Sequence, residues 1–272
     1  QTAIHFHLFI WRNALLPLRV TLLGTGTSHG VPMIACDCPV CRSPNPRNRR
    51  HRTSAYLELP GGAVLIDTPP ELRLQALAFD IRRVDAVLMT HAHADHIAGF
   101  DDLRRFNELA GRSIPVYGLD ETMAEIRSRW SYIFDPTTQL GGGKPDVTLV
   151  PVHGPFELLG ETVLPIPARH GRLPVLGYRV GGFAYLTDCS DLPPESRELL
   201  RGLEVLVLGA IRRRPHETHF NLDQALAVAA DLRPRRTYFT HLTHDLEYEA
   251  TNRELPPSVA LAYDGLVIEC GA

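Results

Sequence analysis

The chain has 272 residues, 44% of them hydrophobic and 22% charged, the make-up of a globular protein with enough length to bury a sizeable core. A net charge of −3 gives no global basic field, which weighs against a nucleic-acid or anionic-membrane partner. No uninterrupted apolar run approaches the roughly 20 residues of a bilayer-crossing helix, and five cysteines with no secretory signal point to a cytoplasmic protein without a disulfide framework.

Residues 1–17 are apolar and aromatic but interrupted by His5, His7, Arg12 and Asn13, with no charged stretch before the apolar part and no small-residue cleavage site. They are not read as a signal peptide. They stand as an extra, unassigned segment: a leader, a contact in a homodimer, or a mis-assigned start. The chain proper is expected to be a single domain over 18–272.

Residues 18–23 read as the first strand. It runs into Gly24-Thr25-Gly26-Thr27-Ser28-His29-Gly30, which lacks the Lys-Ser/Thr of a phosphate-binding P-loop and is read as a structural turn. Cys36, Cys38 and Cys41 then crowd into six residues, a zinc knuckle short of one ligand that must come from afar. The basic run at 47–52 has the composition of a solvated face.

Strands are expected at 54–59 and 63–66 around Pro60-Gly61-Gly62, the second ending at Asp67. A helix at 71–79 precedes a short apolar strand at 84–89. Immediately after it come Thr90-His91-Ala92-His93-Ala94-Asp95-His96, four imidazole or carboxylate ligands in six residues. On an extended strand end His91 and His93 would share a side. Helices at 101–109 and 121–132, with a strand at 114–117 between them, lead to strands at 147–150, 156–158 and 162–166. His170 lies just past the last of these. Strands at 177–180 and 183–186 end in Thr187-Asp188; a short helix at 195–200 and a strand at 205–208 follow. The run Arg212-Arg213-Arg214-Pro215-His216-Glu217-Thr218-His219 precedes a helix at 222–232, and a strand at 237–240 ends in His241-Leu242-Thr243-His244. The last strands are expected at 259–262 and 266–268, and the two halves share a weak two-fold pattern.

Asp67, His91, His170, Asp188 and His241 thus each close an apolar strand, and a twisted sheet can gather such ends at one edge. Two metals need about three or four ligands each. His91, His93 and His170 supply one set; Asp95, His96 and His241 supply the other, with Asp188 bridging. Asp67 is suited to orienting a metal-bound histidine from behind, and Cys189 and Cys270 are read as core thiols.

The His-x-His-x-Asp-His run, followed in order by His170, Asp188 and His241, resembles the metallo-β-lactamase superfamily over residues 18–272. The resemblance implies an α/β fold of αββα type, two mixed β-sheets flanked by helices. The opening glycine turn with Val31-Pro32 and the three cysteines is similar to the PhnP-type phosphoribosyl cyclic phosphate phosphodiesterases. That likeness implies a structural zinc on Cys36, Cys38, Cys41 and His244, and two divalent ions (Zn2+ or Mn2+) in the active site. It further implies hydrolysis of a small, cyclic phosphodiester by a metal-bridged hydroxide. His219, in His219-Phe220-Asn221-Leu222, matches the family's catalytic histidine, with His216 its near competitor. Asp67 and Asp95 complete the expected catalytic set. The cysteine order also resembles the pyrroloquinoline-quinone biosynthesis B protein, which lacks the full hydrolytic ligand set. A thioesterase or lactonase on the same scaffold is the alternative activity.

Overall fold

The computed structural model describes residues 18–139 and 141–271. The segment 1–17 lies outside the described residues. Strands β1 (Leu18–Gly24), β2 (Ser54–Leu59), β3 (Gly62–Ile66), β4 (Ala86–Leu88), β5 (Ile114–Gly118) and β6 (Val147–Pro151) come from the first half. The second half gives β7 (Phe156–Leu158), β8 (Glu161–His170), β9 (Leu173–Val180), β10 (Phe183–Leu186), β11 (Val205–Gly209), β12 (Arg236–Thr240), β13 (Val259–Leu261) and β14 (Val267–Cys270). They form two seven-stranded sheets, ordered β14-β1-β2-β3-β4-β5-β6 and β13-β12-β11-β10-β9-β8-β7. Helices α1 (Leu72–Ala78), α2 (Ala94–Ile97), α3 (Leu103–Ala110), α4 (Asp120–Arg129) and α5 (Ser131–Phe134) belong to the first half, and α6 (Pro194–Leu199), α7 (Leu222–Leu232) and α8 (Tyr248–Glu254) to the second. The architecture is the αββα sandwich of two mixed sheets flanked by helices.

The pairings repeat from one sheet to the other. β1-β2-β3 are antiparallel and β3-β4-β5-β6 parallel. Likewise β8-β9-β10 are antiparallel and β10-β11-β12-β13 parallel. The repeat sets Asp67, just past β3, and Asp188, just past β10, at equivalent strand ends. β4 and β11 are buried along their whole length, as central strands of a parallel stretch are, and their side chains alternate between two layers. Val205 and Val207 meet Ala86 and Leu88 in the core between the sheets. Leu206 and Leu208 pack with Leu222, Ala225 and Val228 of α7, and Val87 packs with Leu72, Leu103 and Phe106 under α1 and α3. Among the described residues no helix is long and apolar enough to cross a membrane.

Several elements differ from expectation. β8 continues to His170, pairing with β9 as far as Leu173. It pairs with β7 only over residues 161–163, so Pro165 and Pro167 sit on a free edge where a missing N–H is tolerated. The helix expected at 121–132 breaks at Trp130 (φ −110, ψ 38), whose ring stacks 6.3 Å from Phe100. The polar helix α8 has no apolar stripe to announce it; it starts where the Glu247 side chain accepts the N–H of Ala250.

The glycine turn is structural. Gly26 bridges both Arg52 and Leu242, and Val31 pairs with Arg50. A Cβ on Gly24 would strike the Arg52 carbonyl oxygen, and one on Gly26 would lie 2.7 Å from that of Arg50. Gly24→Ala is therefore expected to cost about 1–3 kcal/mol, seen as a lower urea midpoint; an unchanged midpoint would show that the close approach is not required.

Candidate metal centre

His91, His93, Asp188 and His241 come from turns after strands, Asp95 and His96 from α2, and His170 from the last position of β8. Asp67, Asp188 and His241 hold φ of 60, 48 and 58°, a left-handed conformation that Asp and His tolerate better than most side chains and that costs strain elsewhere. β4 ends at Leu88, so His91 and His93 lie in the turn into α2 and not on an extended strand end. His91 is buried and His93 exposed, and their rings are still only 4.6 Å apart.

Two donor sets result. The ligand atoms of His91, His93 and His170 lie within 4.8 Å of one another, as do those of Asp95, His96, Asp188 and His241. This is the division read from the sequence. Asp188 faces both sets: Oδ1 is 2.9 Å from His241 Nδ1 and 3.3 Å from His96 Nε2, and Oδ2 is 3.9 Å from His91 Nε2. A third cluster joins His170, Asp188 and His219. His91 Nε2 and His96 Nε2 are buried without a hydrogen-bond partner. Such an atom is costly unless something fills its lone pair.

The charge balance agrees with a cation site. Burial opposes ionisation of Asp188, but His241 and His96 outweigh it and hold the carboxyl well below its usual range. Burial opposes charge on His96 too, yet Asp188, Asp67 and Asp95 together hold its pKa well above the ordinary imidazole value, so the carboxylates draw to Nε2 a positive charge that a metal ion would take over from the proton. Burial, helped by His96, drives His91 well down, leaving a neutral imidazole with a free lone pair. These residues fit divalent ions.

Several donors are held from behind. Asp67, fully buried, accepts from Thr90 N and Thr90 Oγ1 at 2.8 Å each and from His96 Nδ1 at 2.7 Å, which leaves His96 Nε2 facing the centre. His170 Nδ1 donates to the Thr218 carbonyl at 2.6 Å. Thr53 Oγ1 lies 3.1 Å from His241 Nδ1, the same nitrogen that faces Asp188, and so fixes the ring from the side of the centre. Thr53 and Thr218 carry no signal in the sequence, since neither belongs to a motif. The His219 ring is 4.4 Å from that of His170 and stacks 4.9 Å from that of His241. Burial, then His241, pushes its pKa down to about 2. His216 sits behind it, ring to ring at 4.8 Å.

Cys36, Cys38 and Cys41 converge on His244 Nδ1 at 3.2, 3.5 and 3.5 Å. The N–H of Cys41 draws Cys38 down to about 7, whereas burial pushes Cys41 up to about 11. Three thiols and an imidazole packed this closely suit zinc. The basic run behind them is not a solvated face throughout. Arg50 is 2% exposed and donates to the carbonyls of Thr243 at 2.7 Å and Leu246 at 2.6 Å. One guanidinium thus grips the segment that carries both His241 and His244.

The fold and site define a metal-dependent hydrolase of the metallo-β-lactamase class. Residues 63–242 match the family described as "Beta-lactamase superfamily domain". A crystal structure described as a new diphosphatase from the PhnP family is 44% identical, with a TM-score of 0.88 over 94% of this chain and 98% of that one. The chain belongs to the PhnP family of this superfamily. The Zn2+-bound PqqB of Methylobacterium extorquens, 18% identical, shares the fold with a TM-score of 0.75 over 92% of this chain and 99% of that one. An octanoyltransferase of Porphyromonas gingivalis is 38% identical over 92% of this chain and 51% of its own length, so the chain spans about half of that relative. Membership of this superfamily implies divalent metal ions.

Cys38→Ser is expected to lower zinc content and melting temperature together; unchanged values in both would remove the knuckle. Arg50→Met leaves the buried Leu246 carbonyl unpaired and takes from the Thr243 carbonyl one of its two donors; it is expected to cost about 1–3 kcal/mol in denaturant unfolding, whereas a cost near zero would show that the grip is dispensable.

Proposed function

We propose that the chain hydrolyses small phosphodiesters, cyclic ones among them, at a centre of two divalent ions, Zn2+ or Mn2+, with a third, structural zinc on Cys36, Cys38, Cys41 and His244. The observation that carries the reading is the position of His219, stacked against His241 and edge-on to His170 at the rim of both donor sets. The PhnP-family relative, described as a diphosphatase, adds support for a phosphoryl linkage and favours a second reading in which a phosphoanhydride is cleaved. Both reactions displace an oxygen leaving group from a disubstituted phosphoryl centre.

His91, His93 and His170 would hold one ion, and Asp95, His96 and His241 the other, with Asp188 shared. When bound, the ions supply water activation near neutral pH and neutralise the phosphoryl charge. The rest falls to the side chains. Asp67 fixes the tautomer and angle of His96 through the 2.7 Å contact, and Asp95 contributes negative charge that keeps that site selective for cations. Neutral His219 carries its proton on one ring nitrogen and donates it as a hydrogen bond to an oxygen on which charge grows. No serine or cysteine nucleophile is called for.

His219→Ala is expected to lower turnover about a hundredfold or more with metal content unchanged; near-wild-type turnover would move the role elsewhere. The activity class is decided with metal-reconstituted enzyme on bis(p-nitrophenyl) phosphate, a cyclic ribose phosphate, a dinucleoside diphosphate, a thioester and a lactone. Turnover of the phosphodiesters supports the reading. Turnover of the thioester or lactone alone contradicts it, and an inert protein fits a PqqB-like role instead.

A further inference from the structure

The ring of His219 is set by its neighbours. Its Nδ1 lies 3.9 Å from Asp188 Oδ2, too far for a hydrogen bond. Three rings pack around it instead: His170 at 4.4 Å, His216 at 4.8 Å and His241 at 4.9 Å. His170 and His241 are metal donors. His216 belongs to no donor set among the described residues, so its place against His219 calls for another explanation.

Both histidines lie on the connection between β11 and α7. The ends of that connection are tied by the backbone. Ile211 N–H donates to the Phe220 carbonyl at 3.0 Å and Leu222 N–H to the Arg212 carbonyl at 2.9 Å. Phe220 N–H donates at 2.7 Å to the carbonyl of Cys189, the residue after Asp188. The tip is tied by side chains. Arg212 folds back and donates to the carbonyls of Arg214 at 3.3 Å and Pro215 at 2.9 Å. His216 Nδ1 accepts the N–H of Thr218 at 3.2 Å. A backbone N–H can only donate, so this nitrogen carries no proton and the neutral ring keeps its own on Nε2. Burial, then the Arg212 charge, lowers the pKa of His216, in keeping with a neutral ring.

Thr218 joins this tip to the metal centre. Its carbonyl accepts from His170 Nδ1 at 2.6 Å. That carbonyl is part of the peptide bond to His219, so the plane that holds His170 also carries His219. The Thr218 methyl group packs so closely on Gly171 that a Cβ there would lie 2.9 Å from it. Thr218 is therefore fixed on one side by His216 and fixes His170 on the other. An acceptor that takes the N–H two residues on is the arrangement of an Asx turn, in which Asn or Asp supplies the oxygen. His216 supplies a ring nitrogen in its place.

We propose that His216 is a positioning residue: its Nδ1 holds Thr218, and through Thr218 it sets the ring of the metal donor His170 and the approach of His219 to the centre. The assignment rests on the metal-centre reading and holds for either phosphoryl substrate. It gives the two neighbouring histidines separate tasks, with His219 facing the centre and His216 holding the frame behind it.

Three variants isolate the hydrogen bond. His216→Ala removes ring and acceptor, His216→Phe keeps a ring without the acceptor, and His216→Asn keeps an acceptor without the ring. With Zn2+-loaded proteins and bis(p-nitrophenyl) phosphate, kcat is expected to fall about tenfold or more in H216A and H216F and to return to within about threefold of wild type in H216N. Zinc retention against a chelator reads the same brace without turnover, so it stands even if no phosphodiester is cleaved. H216A and H216F are expected to lose an active-site ion at a chelator concentration about tenfold lower than wild type, and H216N to follow wild type. Impairment of H216N to the level of H216A would overturn the brace. With zinc retention intact, that result would give His216 a part in the chemistry itself; with H216F active, it would leave only ring packing. Wild-type behaviour of H216A in both measurements would overturn it as well.

Discussion

The buried carboxylate of Asp188 is the constraint on which the rest of the site depends. With 2% exposure it cannot be stabilised by solvent, and a charge buried without compensation is expensive. One oxygen faces His96 and His241, the other His91. Imidazoles alone do not settle the balance, because Asp67 and Asp95 add further negative charge and two histidine nitrogens stay without partners. Cations complete such a set. Most of the donors are also buried, and His96 and His170 are held from behind by hydrogen bonds, so binding an ion there requires little rearrangement.

Geometry reaches Asp188 through the repeated topology. The same order of antiparallel and parallel pairings occurs in both sheets, and equivalent strands end in Asp67 and Asp188. The two carboxylates have diverged in use: Asp67 accepts three hydrogen bonds and braces His96, while Asp188 turns both oxygens to the donors. On the third strand-end turn, His241 is braced by Thr53 and lies three residues before His244 of the cysteine cluster. Arg50 holds the backbone between them and beyond. Stability of the knuckle and placement of His241 therefore share one short segment.

Much of this is legible in the sequence because the ligands cluster or end apolar runs. Four of them fall within 91–96, Asp188 follows the wholly buried apolar run of β10, and His170 and His241 follow half-buried strands with apolar alternation. The αββα fold comes with the family resemblance that these ligands carry, and the weak two-fold pattern of the halves corresponds to the repeated pairings of the two sheets. What stays hidden depends on contacts between distant segments. Thr53 and the Thr218 carbonyl brace histidines through single hydrogen bonds that no periodicity announces. Arg50 looks like its exposed neighbours until residues 243–246 close over it. The prolines of β8 read as a strand end although a free edge accommodates them, and α8 leaves no pattern because a helix capped by Glu247 needs no apolar stripe to start.

Anomalous diffraction from crystals of the metal-loaded protein, recorded at the edge of the bound metal, tests the convergence on Asp188 most directly. Two peaks are expected, one on each side of that carboxylate, the first among His91, His93 and His170 and the second among Asp95, His96 and His241. A catalytically active crystal with no anomalous density beside Asp188 would contradict it.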